Sequence, residues 1–326
     1  MVKVTANACA NIALVKYWGK RDNSSLNVPQ AGSLSVTLEA LQTTTEIELT
    51  DSDVDILLLD GLEVNDRALS RVSAHLDLFR EPHQPRAVVR SSNSFPTAAG
   101  LASSASGFAA LTVAASHAYE HDHTDRELSI LARRGSGSAA RSIFGQYAIM
   151  NAGEQSDGLD AYAEPLNNID FPLHAVIAVA EAGPKDIGST EGMKRTRETS
   201  PFHQPWIELV SRDLTLAQAA LRDDDFSALA RCVEGNCLAM HANAMASRPG
   251  IIYFSGTTIE AISTVRDLRN NHGVDVFFTI DAGPHVVAFT RPSFEAQVAE
   301  ALGNISGVTQ VIRSQMGEAA QVISAK

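Results

Sequence analysis

The sequence has few cysteines and no long apolar run. Its three cysteines, Cys9, Cys232 and Cys237, form neither the spacing of a metal site nor an even set for disulfides. This shortage favours a reducing compartment and predicts a cytoplasmic protein. The N-terminus lacks the apolar core of a signal peptide, and no run approaches the length of a membrane span. We therefore expect a soluble protein with no membrane partner.

Positive charge is also in short supply. The 326 residues include 26 lysines and arginines against 38 aspartates and glutamates, a formal net charge of -12. This balance argues against a nucleic-acid or anionic-membrane partner, so an anionic small molecule would need locally placed cations. A hydrophobic content of 44% and a charged content of 20% are typical of a globular protein. The length predicts one large or two medium domains.

The most informative stretch covers residues 93–107, where small residues predominate. Pro96 blocks helix formation and favours extended backbone in the residues before it. Small residues then continue to Gly107, and an apolar, alanine-rich run over 108–119 has helical composition. A small-residue loop at a helix N-terminus can bind phosphate through backbone N–H groups. The alternative is a serine-rich cap on a buried helix. No Gly-Lys-Ser/Thr follows, so this is not a Walker loop.

Cations are concentrated at two other places. Lys16, Tyr17, Lys20 and Arg21 put three cations and a phenol within six residues, which predicts either an anion site or a solvated turn after a strand. Residues 135–142 form a second small-residue loop that presents Arg141, either as a surface charge or as a bidentate clamp for carboxylate or phosphate.

Asp281 follows an apolar strand expected over 274–280 and precedes Ala-Gly-Pro. Such an aspartate is either a turn former or a group that orients or deprotonates a substrate hydroxyl. The polar loop 183–190 is the candidate domain boundary, and Ser189 and Thr190 offer hydroxyls there.

Hydrophobic periodicity predicts mixed secondary structure. A hairpin turn is expected at Asp60-Gly61, and Met240 and His241 are interpreted as helix packing. Strands are expected at 33–40, 43–50, 86–91, 175–180, 274–280, 286–289 and once at the C-terminus; helices are expected near 66–80, 125–134, 206–246 with a break at 222–225, 257–270 and 293–302.

Together these motifs resemble one family, the mevalonate diphosphate decarboxylases of the GHMP kinase superfamily. The motifs that carry the resemblance occur in family order from the first strand to residue 284. They are Asn11-Ile12-Ala13 with Lys16-Tyr17-Trp18-Gly19-Lys20-Arg21-Asp22, the run from Pro96 to Ser106, Gly135-Ser136-Gly137-Ser138-Ala139 with Arg141-Ser142, Gly188-Ser189-Thr190 with Gly192-Met193 and Thr199-Ser200, and Asp281-Ala282-Gly283-Pro284.

The resemblance implies an α+β, two-domain GHMP kinase-like fold with the active site in the cleft between domains. Residues 1–183 would form the ATP-binding domain and residues 184–326 the C-terminal domain. It also implies a homodimer that uses ATP and Mg²⁺. The implied enzyme is a carboxy-lyase of isoprenoid biosynthesis by the mevalonate pathway. It phosphorylates the 3-hydroxyl of mevalonate 5-diphosphate and releases phosphate and CO₂ to leave isopentenyl diphosphate.

The resemblance also assigns roles to residues. Asp281 would act on the 3-hydroxyl as base or orienting group, Arg141 would hold the substrate carboxylate, and Asn11 would support the reacting centre. The remaining substrate contacts would be Tyr17, Lys20, Ser138, Ser189 and Thr190, with Lys20 also counted as catalytic. The nucleotide contacts would be Ser91, Asn93, Gly100, Leu101, Ala102, Ser103, Ser104 and Ser106, with Mg²⁺ held through the ATP phosphates and Ser104 as a candidate ligand.

Three positions depart from the family pattern: His285 stands where asparagine is usual, Ala31 lies where a Pro-x-Asn-x-Ser-like segment is common, and Met150 stands where tryptophan is frequent. Sequence alone therefore leaves other readings open. A relative could decarboxylate mevalonate 5-phosphate, phosphorylate the 3-hydroxyl without decarboxylation, or serve as a silent metabolite-binding regulator. Lys20 and Asp281 together favour a full decarboxylase over a kinase, and with Arg141 they argue against a silent regulator, whereas decarboxylation of the 5-phosphate stays the main alternative.

Overall fold

The structure is a computed structural model that describes residues 2–21, 26–65, 67–95, 103–181 and 187–326. The strands in these ranges, in chain order, are β1 (Lys3–Val15), β2 (Ser33–Thr50), β3 (Ile56–Leu59), β4 (Leu62–Glu63), β5 (Arg86–Asn93), β6 (Tyr147–Met150), β7 (Ala163–Pro165), β8 (His174–Ala180), β9 (Val276–Thr279), β10 (Val286–Thr290), β11 (Val308–Ser314) and β12 (Gln321–Ala325).

The α-helices in the same ranges are α1 (Arg67–Leu76), α2 (Ser103–Ala118), α3 (Asp125–Gly135), α4 (Ser189–Thr199), α5 (His203–Arg222), α6 (Phe226–Met245), α7 (Gly256–His272) and α8 (Glu295–Gly303). Two short 3-10 helices cover Gly137–Ile143 and Pro292–Phe294. Across the described residues, no helix combines the length and the apolar character needed to cross a bilayer.

Eight strands form the first sheet, in the order β12-β1-β2-β5-β3-β4, with β6 paired to β2 and β7 paired to β6. The sheet is largely antiparallel, and β1 runs beside β2 from the Lys3–Glu48 pair to the Val15–Leu34 pair. One long β2 replaces the two strands predicted at 33–40 and 43–50. A register shift between Cys9 and Asn11 on the neighbouring strand lets the ribbon bend without ending.

The second sheet is a four-stranded antiparallel sheet, in the order β11-β8-β10-β9. The prediction of one C-terminal strand was wrong, because the chain forms β11 here and then β12, which pairs with β1 of the first sheet. Residues 321–325 of the expected second domain, 184–326, thus lie in the sheet of the first. The expected boundary after residue 183 falls outside the described residues.

The helix predictions agree with the structure to within a few residues, and the hairpin at Asp60-Gly61 is present with positive φ at both residues, 49° and 82°. The start of α3 is set by a capping box, in which the Thr124 side chain accepts from the Glu127 N–H. The break between α5 and α6 falls at Asp223–Asp225, as the run of acidic residues predicts.

The two sheets share one hydrophobic core. Its buried members include Ile12 and Leu34 from the first sheet, Ile177 and Phe277 from the second, and apolar side chains of α5 and α6. Separate clusters lie under α2 in the first half and under α7 and α8 in the second. Because the shared core lies next to the ends of β1 and β9, the residues after those strands are held near each other.

Candidate active site

A cleft of about 770 Å³ lies where the two halves meet. Its walls come from the segment after β1, helices α1 to α4, the 3-10 helix Gly137–Ile143 and the segment after β9. Asn11, Tyr17, Lys20, Ser138, Arg141, Ser189, Thr190 and Asp281, the eight predicted catalytic and substrate-binding residues, all line this one cavity.

The floor of the cleft holds an ion pair between Lys16 and Asp281. Lys16 Nζ lies 2.5 Å from Asp281 Oδ1, and the Lys16 side chain is 2% exposed against 30% for Asp281. A buried ammonium needs a partner, because leaving a charge unpaired away from water is costly. Lys16 belongs to the predicted cation cluster, but the sequence offered no sign that it would pair with Asp281.

Arg141 lies beside this pair, buried on the 3-10 helix Gly137–Ile143. Its Nε donates to Asn11 Oδ1 (3.1 Å) and its Nη1 to Ser33 Oγ (2.5 Å). Burial lowers the pKa of Arg141 to about 10, against the opposing effects of Asp281 and Tyr17. The guanidinium is thus a cation at neutral pH, held by two neutral partners with Asp281 nearby.

Asn11 supports Arg141 from β1. Its amide nitrogen donates to Ser138 O (2.9 Å) and Ser142 Oγ (2.8 Å), which leaves its oxygen for Arg141 Nε. The second small-residue segment, predicted as a loop, contains the 3-10 helix Gly137–Ile143. A side chain at position 137 would crowd Tyr17, because a Cβ on Gly137 would lie 2.2 Å from the Tyr17 hydroxyl oxygen.

Lys20 and Tyr17 form the next part of the wall. Lys20 Nζ donates to Asn27 Oδ1 (2.6 Å), and the Asn27 amide nitrogen donates to the carbonyls of Arg133 and Arg134 at the end of α3. Burial, with a smaller contribution from Arg71, lowers the pKa of Lys20 to about 8. Burial raises the pKa of Tyr17 far above its usual value, so its hydroxyl stays a protonated donor.

Ser189 and Thr190 were predicted in a polar loop, but they form the first turn of α4. The chain turns into the helix at Gly188, so the hydroxyls and the helix N-terminus face the cleft together. Ser138 Oγ, which also lines the cleft, lies 3.4 Å from Ser136 Oγ.

The predicted phosphate loop is described only from Ser103 onward; Gly100, Leu101 and Ala102 lie outside the described residues. Ser103 and Ser104 open α2 and line the cleft, and Ser104 Oγ lies 3.2 Å from Ser136 Oγ. Ser106 differs from the expectation: its side chain is fully buried, 2.6 Å from Thr43 Oγ1, and does not line the cleft. Ser104 is exposed and Ser106 buried because two residues along a helix correspond to about 200° around its axis.

A second cavity of about 180 Å³ adjoins the first, and both are lined by Arg71, Ser103 and Ser104. Its walls are mostly apolar, from Leu57, Val72, Val89, Phe108 and Leu111. Ser91 and Asn93 line it as well, where they bond to the hydroxyls of Thr45 and Thr43 on β2.

Three arginines in the cleft were missed from sequence: Arg67 and Arg71 on α1, and Arg134 on α3. With Lys16, Lys20 and Arg141, six cationic side chains and one carboxylate, that of Asp281, line the cleft among the residues that the structure describes. The spacing of Arg67 and Arg71 was the available signal, since residues four apart share one helix face. This local excess of cations opposes the net charge of -12 of the whole chain.

Elsewhere in the described part of the chain, no three histidine, cysteine, aspartate or glutamate side chains converge as metal ligands. The three departures from the family pattern lie away from the cleft lining. His285 Nδ1 accepts from the backbone of Ala180 (3.1 Å), Met150 is buried in a core cluster and Ala31 packs against another.

The fold and the cleft define a GHMP kinase-like enzyme whose site is built for polyanionic small molecules. Two family models match the chain: the diphosphomevalonate decarboxylase-like N-terminal domain over residues 8–163 and the mevalonate 5-diphosphate decarboxylase C-terminal domain over residues 175–325. The chain therefore belongs to the diphosphomevalonate decarboxylase family.

Comparison with individual proteins gives the same family. A diphosphomevalonate decarboxylase from Aspergillus fumigatus is 36% identical over 94% of this chain and 81% of its own length. The crystal structure of mevalonate diphosphate decarboxylase from Staphylococcus aureus matches with a TM-score of 0.94 and 37% identity over 99% of both chains. A mevalonate diphosphate decarboxylase from Enterococcus faecalis matches with a TM-score of 0.90 and 36% identity, over 99% of this chain and 100% of its own. A further match, at TM-score 0.91 and 36% identity over 99% and 100% of the two chains, is a complex of MDDEF with MVAPP, AMPPCP and magnesium.

Proposed function

We propose that this chain catalyses the ATP-dependent decarboxylation of mevalonate 5-diphosphate to isopentenyl diphosphate, with ADP, phosphate and CO₂ as the other products. The observation that carries the proposal is the meeting of Asp281 with Lys16 and Arg141 at the floor of a cation-rich cleft. Family membership supplies the reaction, and its relatives are named for the diphosphate substrate.

Each end of the substrate has a matching group in the cleft. Asp281 acts on the 3-hydroxyl as base or orienting group, and Lys16 keeps that carboxylate pointed into the cleft. Arg141 binds the substrate carboxylate through the side of its guanidinium that Asn11 and Ser33 do not use. The diphosphate is held by the donor groups of the wall, namely Tyr17, Lys20, Ser138, Ser189 and Thr190.

ATP occupies the other end of the cleft. The apolar cavity beside Phe108 receives the base, with Ser91 and Asn93 as polar contacts at its wall. Ser103, Ser104 and the N-terminus of α2 then meet the phosphates, together with Gly100, Leu101 and Ala102 upstream. Ser106 serves this site indirectly, because its bond to Thr43 ties α2 to β2.

The cleft also fits Mg²⁺. Magnesium keeps several waters and is commonly bound by substrate phosphates and only one or two protein oxygens. The hydroxyl of Ser104 can provide one such oxygen, and no larger protein ligand cluster is required. When bound, the ion neutralises charge on the ATP phosphates.

The residues promote a two-stage reaction. The 3-hydroxyl oxygen attacks the γ-phosphorus of ATP, its proton passes to Asp281, and ADP departs with the electrons of the broken P–O bond. The C3–O bond then breaks and phosphate leaves with that electron pair. The C1–C2 bond supplies electrons to the new double bond as CO₂ departs. The protein contributes to the rate mostly by positioning the reacting groups and by stabilising developing charge.

We also propose a cytoplasmic homodimer in which residues 1–183 form the ATP-binding domain and residues 184–326 the second domain, with β12 returned to the first. Light scattering on the purified chain measures the assembly state directly. A mass of one chain, 34.8 kDa, at micromolar concentration would contradict the dimer.

The function is tested by one assay with ATP and Mg²⁺ in which mevalonate, its 5-phosphate and its 5-diphosphate are offered separately. ADP and CO₂ are both followed. Equal yields of the two from the diphosphate are expected. Equal yields from the monophosphate alone, ADP without CO₂, or no ADP with any substrate would each contradict the proposal.

A further inference from the structure

The segment after β1 is bonded to helix α6 through Asn236. The Asn236 side chain is fully buried, and its Oδ1 accepts from the backbone N–H of Lys16 at 2.8 Å. Its Nδ2 donates to Oδ2 of Asp213, a buried carboxylate on α5, at 2.9 Å. Because a carboxylate oxygen only accepts, Asp213 holds the amino end of the amide and turns its oxygen toward Lys16.

The segment after β9 is bonded to the same helix through Ile280, the residue before Asp281. The Ile280 N–H donates to Cys237 Sγ at 3.1 Å, and the Ile280 carbonyl lies 3.2 Å from His241 Nε2. A carbonyl only accepts, so His241 Nε2 carries the proton. Burial lowers the pKa of His241 to about 4, which keeps the ring neutral. Both backbone groups of Ile280 are thus held by α6.

These contacts come from one helix: Cys237 and His241, four residues apart, share one face of α6, and Asn236 lies about 100° around the helix from Cys237. We propose that Asn236, Cys237 and His241 are positioning residues that set the distance between Lys16 Nζ and Asp281 Oδ1. They touch the backbone on both sides of the ion pair without themselves bonding to either charged group. The inference rests on the proposed function, because it gives these residues a part in the same reaction.

The position of Asp281 relative to Lys16 should affect the turnover rate. A displacement of about 1 Å at a reacting group can lower turnover by about 100-fold even when the altered residue lies outside the site. A purely structural role would instead satisfy the backbone groups at the ends of β1 and β9 and affect only folding stability. The two roles differ in what a substitution changes.

The test compares His241→Leu with His241→Gln in the full-length protein. Leucine removes the ring N–H that lies 3.2 Å from the Ile280 carbonyl and leaves only the weaker thiol donor of Cys237 at 3.6 Å, whereas glutamine keeps an N–H at a similar reach. We expect kcat to fall by about 10- to 100-fold in His241→Leu, with KM for mevalonate 5-diphosphate changed by less than about threefold. His241→Gln should recover most of the kcat.

Val233→Ala is the matched control, because Val233 is fully buried on α6 in the shared core. It should lower Tm while kcat stays at the wild-type value. Wild-type kcat in a folded His241→Leu would overturn the proposal, as would an equal loss of kcat in Val233→Ala at the same Tm. If His241→Leu does not fold, Cys237→Ala and Cys237→Ser take its place with the same expectations, because each changes at most one heavy atom.

A crystal structure of His241→Leu separates this inference from the function on which it rests. We expect the Lys16–Asp281 distance, 2.5 Å here, to lengthen by about 1 Å, and to stay unchanged in Val233→Ala. If the wild-type chain releases no CO₂ from any mevalonate derivative, the proposed function fails, and this distance alone decides the inference. An unchanged distance in His241→Leu would overturn it.

Discussion

Lys16 Nζ lies 2.5 Å from Asp281 Oδ1 although 265 residues separate them in the sequence. The pair joins the end of a strand in the first sheet to the end of a strand in the second. A second bond, from Thr279 Oγ1 to the carbonyl of Ala13, ties the same two strand ends together. The reacting centre is therefore built at a junction between the halves of the chain, and neither half contains it alone.

Asp281→Asn should lower turnover by about 1,000-fold or more, to a small residual rate, while nucleotide binding stays nearly unchanged. The substitution removes the proton acceptor and the partner of Lys16 but alters little volume. Single-turnover release of ADP and CO₂ measures the first effect, and the Kd of a non-hydrolysable ATP analogue measures the second. Asp267→Asn, at an exposed position on α7, is the control and should behave as wild type. Near-normal turnover in Asp281→Asn would contradict the role assigned to this residue.

Lys16→Met should lower kcat by about 100- to 1,000-fold, because it removes the cation that orients Asp281. The double variant Lys16→Met/Asp281→Asn should be no slower than Asp281→Asn alone, since residues that act as a unit are not additive. The measurement is kcat for the two single variants and the double variant. Strictly additive losses would show that Lys16 and Asp281 act independently.

Arg141→Lys should lower kcat/KM for mevalonate 5-diphosphate by about 100-fold, although the charge is kept. Lysine has no planar fork, so it cannot bond to Asn11 and Ser33 and also hold a carboxylate. Arg126→Lys, an exposed change on α3, is the matched control. An unchanged kcat/KM in Arg141→Lys would remove the assignment of the carboxylate site.

The short motifs predicted which residues would meet in the cleft, because each motif combines residue types that are unusual together. The motifs did not predict which of these side chains bond to each other. Lys16 was one of several cations near Tyr17, and its pairing with Asp281 depends on a contact between distant strands. For Ser106 the motif predicted a place in the site that the structure does not show. Its side chain is the same as that of Ser104, but its position on the helix directs it into the core.

In the fold, too, features that depend on neighbouring residues were predicted and features that depend on distant contacts were not. Periodicity predicted most helices and the Asp60-Gly61 hairpin, since both depend on neighbouring residues. It did not predict that β2 continues through residues 41 and 42, because Leu41 is buried by tertiary contacts. Nor did it predict the return of β12 to β1, which depends on an edge left open at the start of the chain.

Two buried histidines should make the protein less stable in mild acid. Burial lowers the pKa of His75 to about 3 and that of His241 to about 4, whereas an unfolded histidine titrates near 6.5. Below pH 6.5 the unfolded chain binds protons that the folded chain excludes, so stability falls as the pH drops. The expected loss between pH 7 and pH 5 is about 2 kcal/mol for each histidine.

Urea unfolding at pH 7 and pH 5 measures this loss. In His75→Gln, the free energy of unfolding should fall by about 2 kcal/mol less between pH 7 and pH 5 than in wild type, because glutamine does not titrate. Glutamine can still bond to Thr112, the partner of His75 Nε2. An equal pH dependence in wild type and His75→Gln would show that His75 is not the source.

Lys20 should make substrate binding weaken at alkaline pH. Its pKa of about 8 in the free protein, lowered chiefly by burial, means that it loses its charge above that pH. A bound diphosphate favours the charged form, so binding above pH 8 must take up a proton, and KM for mevalonate 5-diphosphate should rise by up to about tenfold per pH unit. Lys20→Arg should flatten this rise, because arginine stays charged. The measurement is KM between pH 7 and pH 9.5, with Lys194→Arg, an exposed change on α4, as the control that should follow wild type. A KM that stays constant with pH in wild type would contradict this prediction. The same rise of KM in Lys20→Arg would mean that another group governs binding, because residue 20 keeps its charge in that variant.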